Sequence, residues 1–288
     1  MILQIILCGI AIGSVYAILA LGMVLIFKTT IVLNFAQGVM ATMTTFIAYW
    51  VMVSLKLPYW AAAVGALSSG ALLGILAERL IRPILNAPVL NMIGITIGMF
   101  FVVESLVGLK WGHLVVDFPN PFPAEPLSLK GLVVSPIQLG IIVVLLLLAG
   151  SLFAWLNFTT LGTSFRATCQ DRFAAHLMGI SSKRVYSISW ASGCALGAVS
   201  GILIAPIATL STGMMGGLLL KALAAAVLGG VFSLPGAIVG GITIGIAENI
   251  FGFYVSTGFK DTLAFLVIIV VLLVRPQGIL GNPEDLKG

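Results

Sequence analysis

Three ionisable residues interrupt otherwise apolar stretches of this sequence: Glu104, Lys221 and Glu248. A charge inside an apolar segment is costly, so such a residue is by default a functional candidate. A Lys221–Glu248 pair would cancel much of that cost and could also offer both signs of charge to a zwitterionic substrate. The alternative is a structural ion pair, or side chains that extend to a polar interface. The three residues therefore define a candidate substrate path.

The sequence contains no pattern typical of hydrolytic, metal or nucleotide chemistry. It has neither a G-x-x-x-x-G-K-[ST] phosphate loop nor an HExxH motif. His113 and His176 are isolated from other metal-ligating residues, and Cys8, Cys169 and Cys194 lack metal-ligand spacing, so we expect them to be packing residues. We therefore predict no catalytic, metal or cofactor site in this chain.

The composition requires that lipid be the solvent for most of the chain. Apolar residues make up 60% and charged residues 8%, against about 25% charged in a soluble domain. Because lipid offers no hydrogen-bond partners, the spanning segments must be helices or a closed barrel. Continuous apolar runs such as Ile137–Leu156 favour helices over strands. We predict an all-α integral membrane protein.

The apolar pattern predicts a single domain, residues 1–288, that is a polytopic bundle of about eight to nine transmembrane helices. The predicted segments are 5–27, 36–55, 59–77, 89–109, 137–156, 185–209, 218–231, 237–254 and 257–274. The 218–231 segment is short and either crosses or is re-entrant. The two long connections are an external loop of about residues 112–135 and a cytoplasmic loop of about residues 157–184.

The basic residues predict the orientation, because cytoplasmic loops carry an excess of Lys and Arg. With the N-terminus outside and nine crossings, all six arginines fall on the cytoplasmic side. Three lysines join them there: Lys28, Lys183 and Lys287. The other five lysines fall on or near the outer side: Lys56, Lys110, Lys130, Lys221 and Lys260. This topology leaves the C-terminus in the cytoplasm.

Many of the 33 glycines recur at four-residue spacing. Residues four apart share a helix face, and glycines on that face let a neighbouring backbone approach closely. We expect tight helix packing at Gly193, Gly197, Gly201, Gly240 and Gly241. The pairs Gly9/Gly13 and Gly94/Gly98 follow the same spacing.

The 157–184 loop contains a stretch, residues 163–180, whose composition suits one or two short amphipathic helices. Ala174 and Ala175 favour helix, and Gly179 is a natural C-terminal stop. Phe173 and Leu177 would then form an apolar knob able to dock in a groove of a soluble partner.

Several blocks of this sequence resemble known permeases. Ala174-Ala175-x-x-x-Gly179 resembles the EAA-type loop of bacterial ABC importer permeases. Gly13-Ser-Val-Tyr-Ala17, Asn34-Phe-Ala-Gln-Gly38 and Ala224-Ala-Ala-Val-Leu-Gly-Gly230 resemble blocks of the branched-chain amino-acid permease family (LivH type), and they occur in the expected order. The resemblance spans almost the whole chain.

The resemblance implies a transmembrane permease subunit of an ABC importer in the bacterial inner membrane. Its expected partners are two separate ATP-binding subunits, a second permease chain (a paralogue or an identical copy) and a periplasmic substrate-binding protein. ATP would be used by those partner subunits and not by this chain. The residues expected to couple ATP binding to the transmembrane helices are Arg166, Asp171, Ala174, Ala175 and Gly179.

Branched-chain amino acids are the leading substrates, with other amino acids, urea, short amides and small organic acids as alternatives. A single-component secondary transporter or channel is the main rival function, with Glu104 and Glu248 as ion-coupling acids. A membrane-embedded enzyme is a second rival, although the sequence contains no catalytic constellation for it.

Overall fold

A computed structural model describes residues 2–281 except residues 86, 114, 123, 124, 126, 130 and 131. Lys130 and Lys287, which contribute to the predicted orientation, lie outside the described residues. The described chain is almost entirely helical. A short antiparallel hairpin pairs β1 (Leu127–Leu129) with β2 (Leu132–Val134), with Leu127 opposite Val134.

Eleven α-helices follow one another along the described part of the chain. They are α1 (Ile2–Thr30), α2 (Gln37–Val53), α3 (Tyr59–Ile81), α4 (Val89–Trp111), α5 (Pro136–Phe158), α6 (Thr160–Gln170), α7 (Arg172–Leu177), α8 (Ser182–Ala208), α9 (Met214–Gly229), α10 (Leu234–Tyr254) and α11 (Lys260–Val274). Short 3-10 helices continue α3 (Arg82–Ile84) and precede α11 (Thr257–Phe259).

Six of the described helices are long and apolar enough to cross a membrane: α1, α3, α4, α5, α8 and α10. The predicted count of about eight to nine crossings is therefore not confirmed. Each of the other three predicted segments does contain an apolar helix, but α2 has only 17 residues, α9 has 16 and α11 has 15. At 1.5 Å per residue, 16 residues reach about 24 Å, less than the hydrocarbon thickness of about 30 Å.

Helix α1 lies at the centre of the bundle. It packs against α5, α8, α9 and α10, and its side chains from Val15 to Ile26 are buried. A helix that is apolar on every side has no face suited to water, so burial all round is the arrangement that its sequence favours. By contrast, α4 and α5 are at the periphery, with large apolar side chains such as Leu109 and Leu146 exposed.

Glycine contacts hold the central helices together. Gly13 lies on α1 and Gly241 lies on α10. A methyl group added to either glycine would overlap backbone atoms of the other helix. Gly193, Gly201 and Gly240 are equally tight against their neighbours, whereas Gly197 is in ordinary contact. The packing predicted for these glycines is therefore present at four positions, and the fifth is looser. Gly94 and Gly98 face open space, so the expectation of tight packing does not hold for that pair within this chain.

Candidate functional site

The segment between α5 and α8 forms two short helices, as the composition of residues 163–180 predicts. Helix α6 begins where the Thr159 side chain accepts a 3.0 Å hydrogen bond from the backbone N–H of Gly162. Helix α7 begins at Asp171, whose carboxylate accepts hydrogen bonds from the backbone N–H groups of Phe173 (2.8 Å) and Ala174 (3.0 Å). A carboxylate at this position satisfies N–H groups that have no partner within the helix. Asp171 therefore fixes the start of α7.

Gly179 ends α7 in the way that its residue type suggests. Its φ of +79° lies in the left-handed region that favours glycine. The backbone N–H of Ile180 donates to the carbonyl of Ala175 at 3.0 Å, and the N–H of Gly179 donates to the carbonyl of His176 at 3.0 Å. These bonds close the helix and turn the chain directly into α8, which begins at Ser182.

Three large apolar side chains project from α7 and from the residue that follows it. Phe173 is 73% exposed, Leu177 71% and Met178 82%. We call these three residues the α7 knob. Ala174 is exposed beside it, whereas Ala175 is buried and anchors the opposite face of α7. A small, rigid apolar projection of this kind is suited to insertion into a groove on another protein.

Two arginines attach this segment to the rest of the molecule. Arg166, on α6, is exposed and donates a 3.3 Å hydrogen bond to the side-chain oxygen of Asn157 at the end of α5. Arg172, on α7, donates a 3.1 Å hydrogen bond to the backbone carbonyl of Thr29 at the end of α1, and its guanidinium lies 5.6 Å from the Tyr186 ring centroid on α8. Arg172 thus connects α7 to two central helices. Sequence reasoning did not include it among the coupling residues.

The inner face of α6 is buried against the bundle. Burial raises the pKa of the Cys169 thiol to about 11, although the positive charges of Lys28 and Arg172 act in the opposite direction. The thiol therefore stays protonated at neutral pH.

A second group of polar side chains joins α1, α9 and α10. The ammonium group of Lys221 lies 2.8 Å from Glu248 Oε1, and the Tyr16 hydroxyl donates to Glu248 Oε2 at 2.8 Å. Glu248 is only 6% exposed, and the Lys221 ammonium also lies 5.7 Å from the Tyr16 ring centroid. We call Tyr16, Lys221 and Glu248 the Tyr16 cluster. The ion pair that the sequence suggested is present, and both carboxylate oxygens have partners.

Glu104 is not part of this cluster. It lies half-buried on α4, which packs mainly against α2, whereas Lys221 and Glu248 lie on α9 and α10. Among the residues that the structure describes, none forms a hydrogen bond or an ion pair with Glu104. The three ionisable residues of the predicted substrate path are therefore in two separate places.

The structure contains an ion pair with a buried carboxylate that sequence reasoning missed. Glu78, near the end of α3, is 1% exposed and accepts two hydrogen bonds from Arg82, at 2.8 and 2.7 Å. The Ser187 hydroxyl on α8 donates to the same carboxylate at 3.0 Å. The four-residue spacing of Glu78 and Arg82 was the available signal. The predicted third segment ended at residue 77, so Glu78 was counted outside the apolar region.

Gln37 is a second buried polar residue whose position the sequence did not predict. Its side-chain amide nitrogen donates to the carbonyls of Leu19 (3.4 Å) and Gly193 (3.2 Å), so it bridges α1 and α8 from the start of α2. Its oxygen is buried and has no hydrogen-bond partner among the described residues.

Comparison with known proteins gives one consistent family. The family described as "Branched-chain amino acid transport system / permease component" matches residues 5–272. The high-affinity branched-chain amino acid transport system permease protein LivH of Escherichia coli (strain K12) is 32% identical, over 96% of this chain and 94% of that protein. BraD of Pseudomonas aeruginosa, a permease protein of the same description, is 31% identical, over 96% of this chain and 94% of that protein.

The fold has a counterpart among solved structures. A chain of the complex described as "PsaBC from Streptococcus pneumoniae in complex with Fab" aligns with a TM-score of 0.50, covering 99% of this chain and 94% of that chain. At 16% sequence identity, this likeness concerns the fold alone.

Proposed function

This chain belongs to the branched-chain amino acid transport system permease family, and from that premise we propose that it is the permease subunit of an ABC importer that moves branched-chain amino acids into the cell. The observation that supports this proposal best is the α7 knob, an exposed apolar projection held by an N-terminal cap and a glycine turn between two long helices. A single-component transporter would have no use for such a projection.

The proposed topology has nine crossings, with the N-terminus outside and the C-terminus in the cytoplasm of a bacterial cell, in its inner membrane. The distribution of arginine supports this orientation. Helices α2, α9 and α11 would then cross although they are short; α2 and α9 are packed within the bundle, where a polar helix end is sheltered from lipid.

The proposed mechanism is a mechanical connection from ATP to the membrane helices. Two separate ATP-binding subunits would use the ATP, so this chain needs no catalytic site or cofactor of its own. Closure of these subunits would displace the docked α7 knob. The displacement would reach α8 through Gly179 and would reach α1 through the hydrogen bond from Arg172 to Thr29. A second permease chain, either a paralogue or an identical copy, would complete the pore, and a periplasmic binding protein would deliver the substrate.

Each predicted coupling residue has a distinct part in this proposal. Asp171 and Gly179 set the two ends of α7, and buried Ala175 seats the helix on the bundle. Ala174 is small enough to let a partner approach the exposed face. Arg166 links α6 to the end of α5.

For the Tyr16 cluster we propose a structural role, with substrate contact as the alternative. Lys221 and Glu248 satisfy each other, and the second carboxylate oxygen is occupied by Tyr16, so a zwitterionic substrate would have to displace these partners. Exchanging the two charges (Lys221→Glu with Glu248→Lys) separates the roles. A structural pair should recover assembly and uptake, whereas a substrate site should recover assembly alone. Glu104 stays a separate candidate for the substrate path.

The decisive experiment on the proposed function is co-purification from membranes. Leu177→Arg places a charge on the α7 knob, and Phe158→Arg is the matched control because Phe158 is also a large exposed apolar residue, at the end of α5. We expect the ATP-binding subunit to be lost with Leu177→Arg and retained with Phe158→Arg. Retention with both variants, or uptake into liposomes by this chain alone without ATP, would overturn the proposal.

A further inference from the structure

A groove of about 640 Å³ opens on the side of the bundle between α5 and the beginning of α10. Helix α5 packs mainly against α1 and α6, and residues of both helices also line the groove. Its lining is mostly apolar and includes Leu146, Gly150, Phe153 and Ile238, with Leu21 of α1 at its base. The volume lies within the range of small-molecule sites, roughly 300–1,000 Å³.

The polar residues of the groove are concentrated at one end. Lys28 and Asn157 lie near the ends of α1 and α5, and Ser233 lies directly before α10. Arg166 lies within α6, which follows α5. Among the residues that the structure describes, the lining includes two cations and no carboxylate. An occupant that complements this groove must therefore have an apolar body and an anionic head.

The depth of the groove matches one leaflet of a bilayer. Leu146 and Asn157, at its two ends on α5, are 11 residues apart, which corresponds to about 16 Å along the helix. Half of a hydrocarbon core of about 30 Å is about 15 Å. In the proposed topology the cationic end is cytoplasmic, on the side where anionic headgroups attract Lys and Arg.

We infer that this groove binds an anionic phospholipid of the cytoplasmic leaflet, with an acyl chain along α5 and the phosphate at Lys28 and Arg166. A transmembrane helix of another subunit could fill the apolar part but would leave both cations without a counter-charge. Because Phe165 and Arg166 of α6 also line the groove, the bound lipid would contact the segment that carries the α7 knob.

Gly150 provides a direct test of occupancy. It is exposed on α5 and lines the groove, and no atom of the described residues lies within 4 Å of an added Cβ, so Gly150→Leu places a bulky side chain at the groove wall. Gly98→Leu is the matched control, because Gly98 is also an exposed helical glycine in open space but lies on α4. Lys28→Gln removes one cation from the rim and leaves the apolar walls intact.

The experiment is native mass spectrometry of the delipidated, assembled transporter after addition of phosphatidylglycerol or phosphatidylcholine. We expect one tightly bound phosphatidylglycerol per copy of this chain, in preference to phosphatidylcholine. Gly150→Leu should abolish this binding and Gly98→Leu should retain it. Lys28→Gln should weaken phosphatidylglycerol binding by about fivefold, the contribution of one cation near an anionic headgroup.

Three results would overturn the inference: equal binding by the Gly150→Leu and Gly98→Leu variants, no preference for phosphatidylglycerol in the unmodified transporter, or binding that occurs only after deletion of residues 282–288. The last result would assign the groove to the acidic C-terminal tail, which contains Glu284 and Asp285 and follows the lining residue Leu280. The measurement detects bound lipid and not uptake or ATPase docking, so its failure would leave the proposed function intact.

Discussion

The Tyr16 cluster and the α7 knob are opposite in both polarity and exposure. In the cluster, charged groups are buried and each is compensated by a neighbour on another helix. In the knob, apolar groups are exposed and have no covering residue in the part of the chain that the structure describes. Buried charge that is fully paired holds helices in one arrangement, whereas exposed apolar surface needs a partner. We therefore propose that the cluster maintains the fold and that the knob takes part in assembly.

The largest effect should come from leaving a charge of the Tyr16 cluster unpaired. In Lys221→Met, Glu248 stays buried with only Tyr16 as partner, and we expect a loss of about 3 kcal/mol in stability. The double variant Lys221→Met with Glu248→Met should recover most of the loss, because no buried charge is left. Thermal unfolding of the purified chain in detergent measures both. A single variant as stable as the unmodified chain would contradict a structural role.

Phe173→Ala should have the converse effect, weakening assembly without weakening the fold. The Phe173 side chain is largely exposed in the isolated chain, so the unfolding temperature of the chain should not change. A central aromatic anchor contributes about 2 kcal/mol to an interface, which corresponds to roughly 30-fold in the dissociation constant for the ATP-binding subunit. Phe158→Ala is the control. Equal weakening by both variants in a binding titration would contradict the proposed knob.

Gly179→Ala should show how far the knob depends on the turn behind it. The position is spacious, so the cost arises only from the backbone conformation at φ +79°, about 1 kcal/mol for alanine. If docking requires this left-handed backbone conformation at residue 179, affinity for the ATP-binding subunit should fall about fivefold. Asparagine tolerates this conformation better, so Gly179→Asn should bind more tightly than Gly179→Ala. Equal affinities for the two variants would contradict a role of the Gly179 turn in docking.

The smallest effect concerns the reactivity of a cysteine rather than stability. It tests whether the inner face of α6, unlike the exposed α7 knob, is closely packed. Burial raises the pKa of Cys169 to about 11, so its thiolate fraction should increase about tenfold per pH unit from pH 7 to pH 10. Alkylation rates of a variant that retains only Cys169 measure this. A rate that levels off near pH 8.5, as for an ordinary cysteine, would show that α6 is not packed in this way.

Local signals in the sequence were sufficient for the C-terminal end of α7, for Phe173 and Leu177 of the knob, and for the Lys221–Glu248 pair. Gly179 after the alanine-containing run predicts the end of α7, because it acts on its own backbone neighbours. The cap formed by Asp171 at the start of α7 was not predicted, although an aspartate before such a run is a local signal of the same kind. A lysine and a glutamate in separate apolar segments predict a pair, because each charge is costly there without a partner. The contribution of Tyr16 was not predictable, since an isolated tyrosine in an apolar helix gives no indication of its partner.

Features that depend on the distance between helices were harder to predict. The spacing of Gly94 and Gly98 is the same as that of Gly9 and Gly13, yet the first pair faces open space, because α4 is at the periphery. Spacing identifies a small-residue face but not what packs against it. The crossing count was uncertain for a similar reason. An apolar run of 16 residues, such as α9, is below the usual spanning length, and its crossing depends on neighbouring helices.

The glycine contacts of α1 have a mechanical consequence. Its backbone touches α8 where Gly22 meets Gly193, and it touches α10 where Gly13 meets Gly241 and again where Gly9 meets Gly245. Helices in backbone contact have no compressible side-chain layer between them, so we expect the three to respond to load as one stiff beam. A displacement of α7 would then be transmitted to the far end of α1 with little decrease in amplitude. Flexing would be concentrated where the peripheral helix α5 meets this beam.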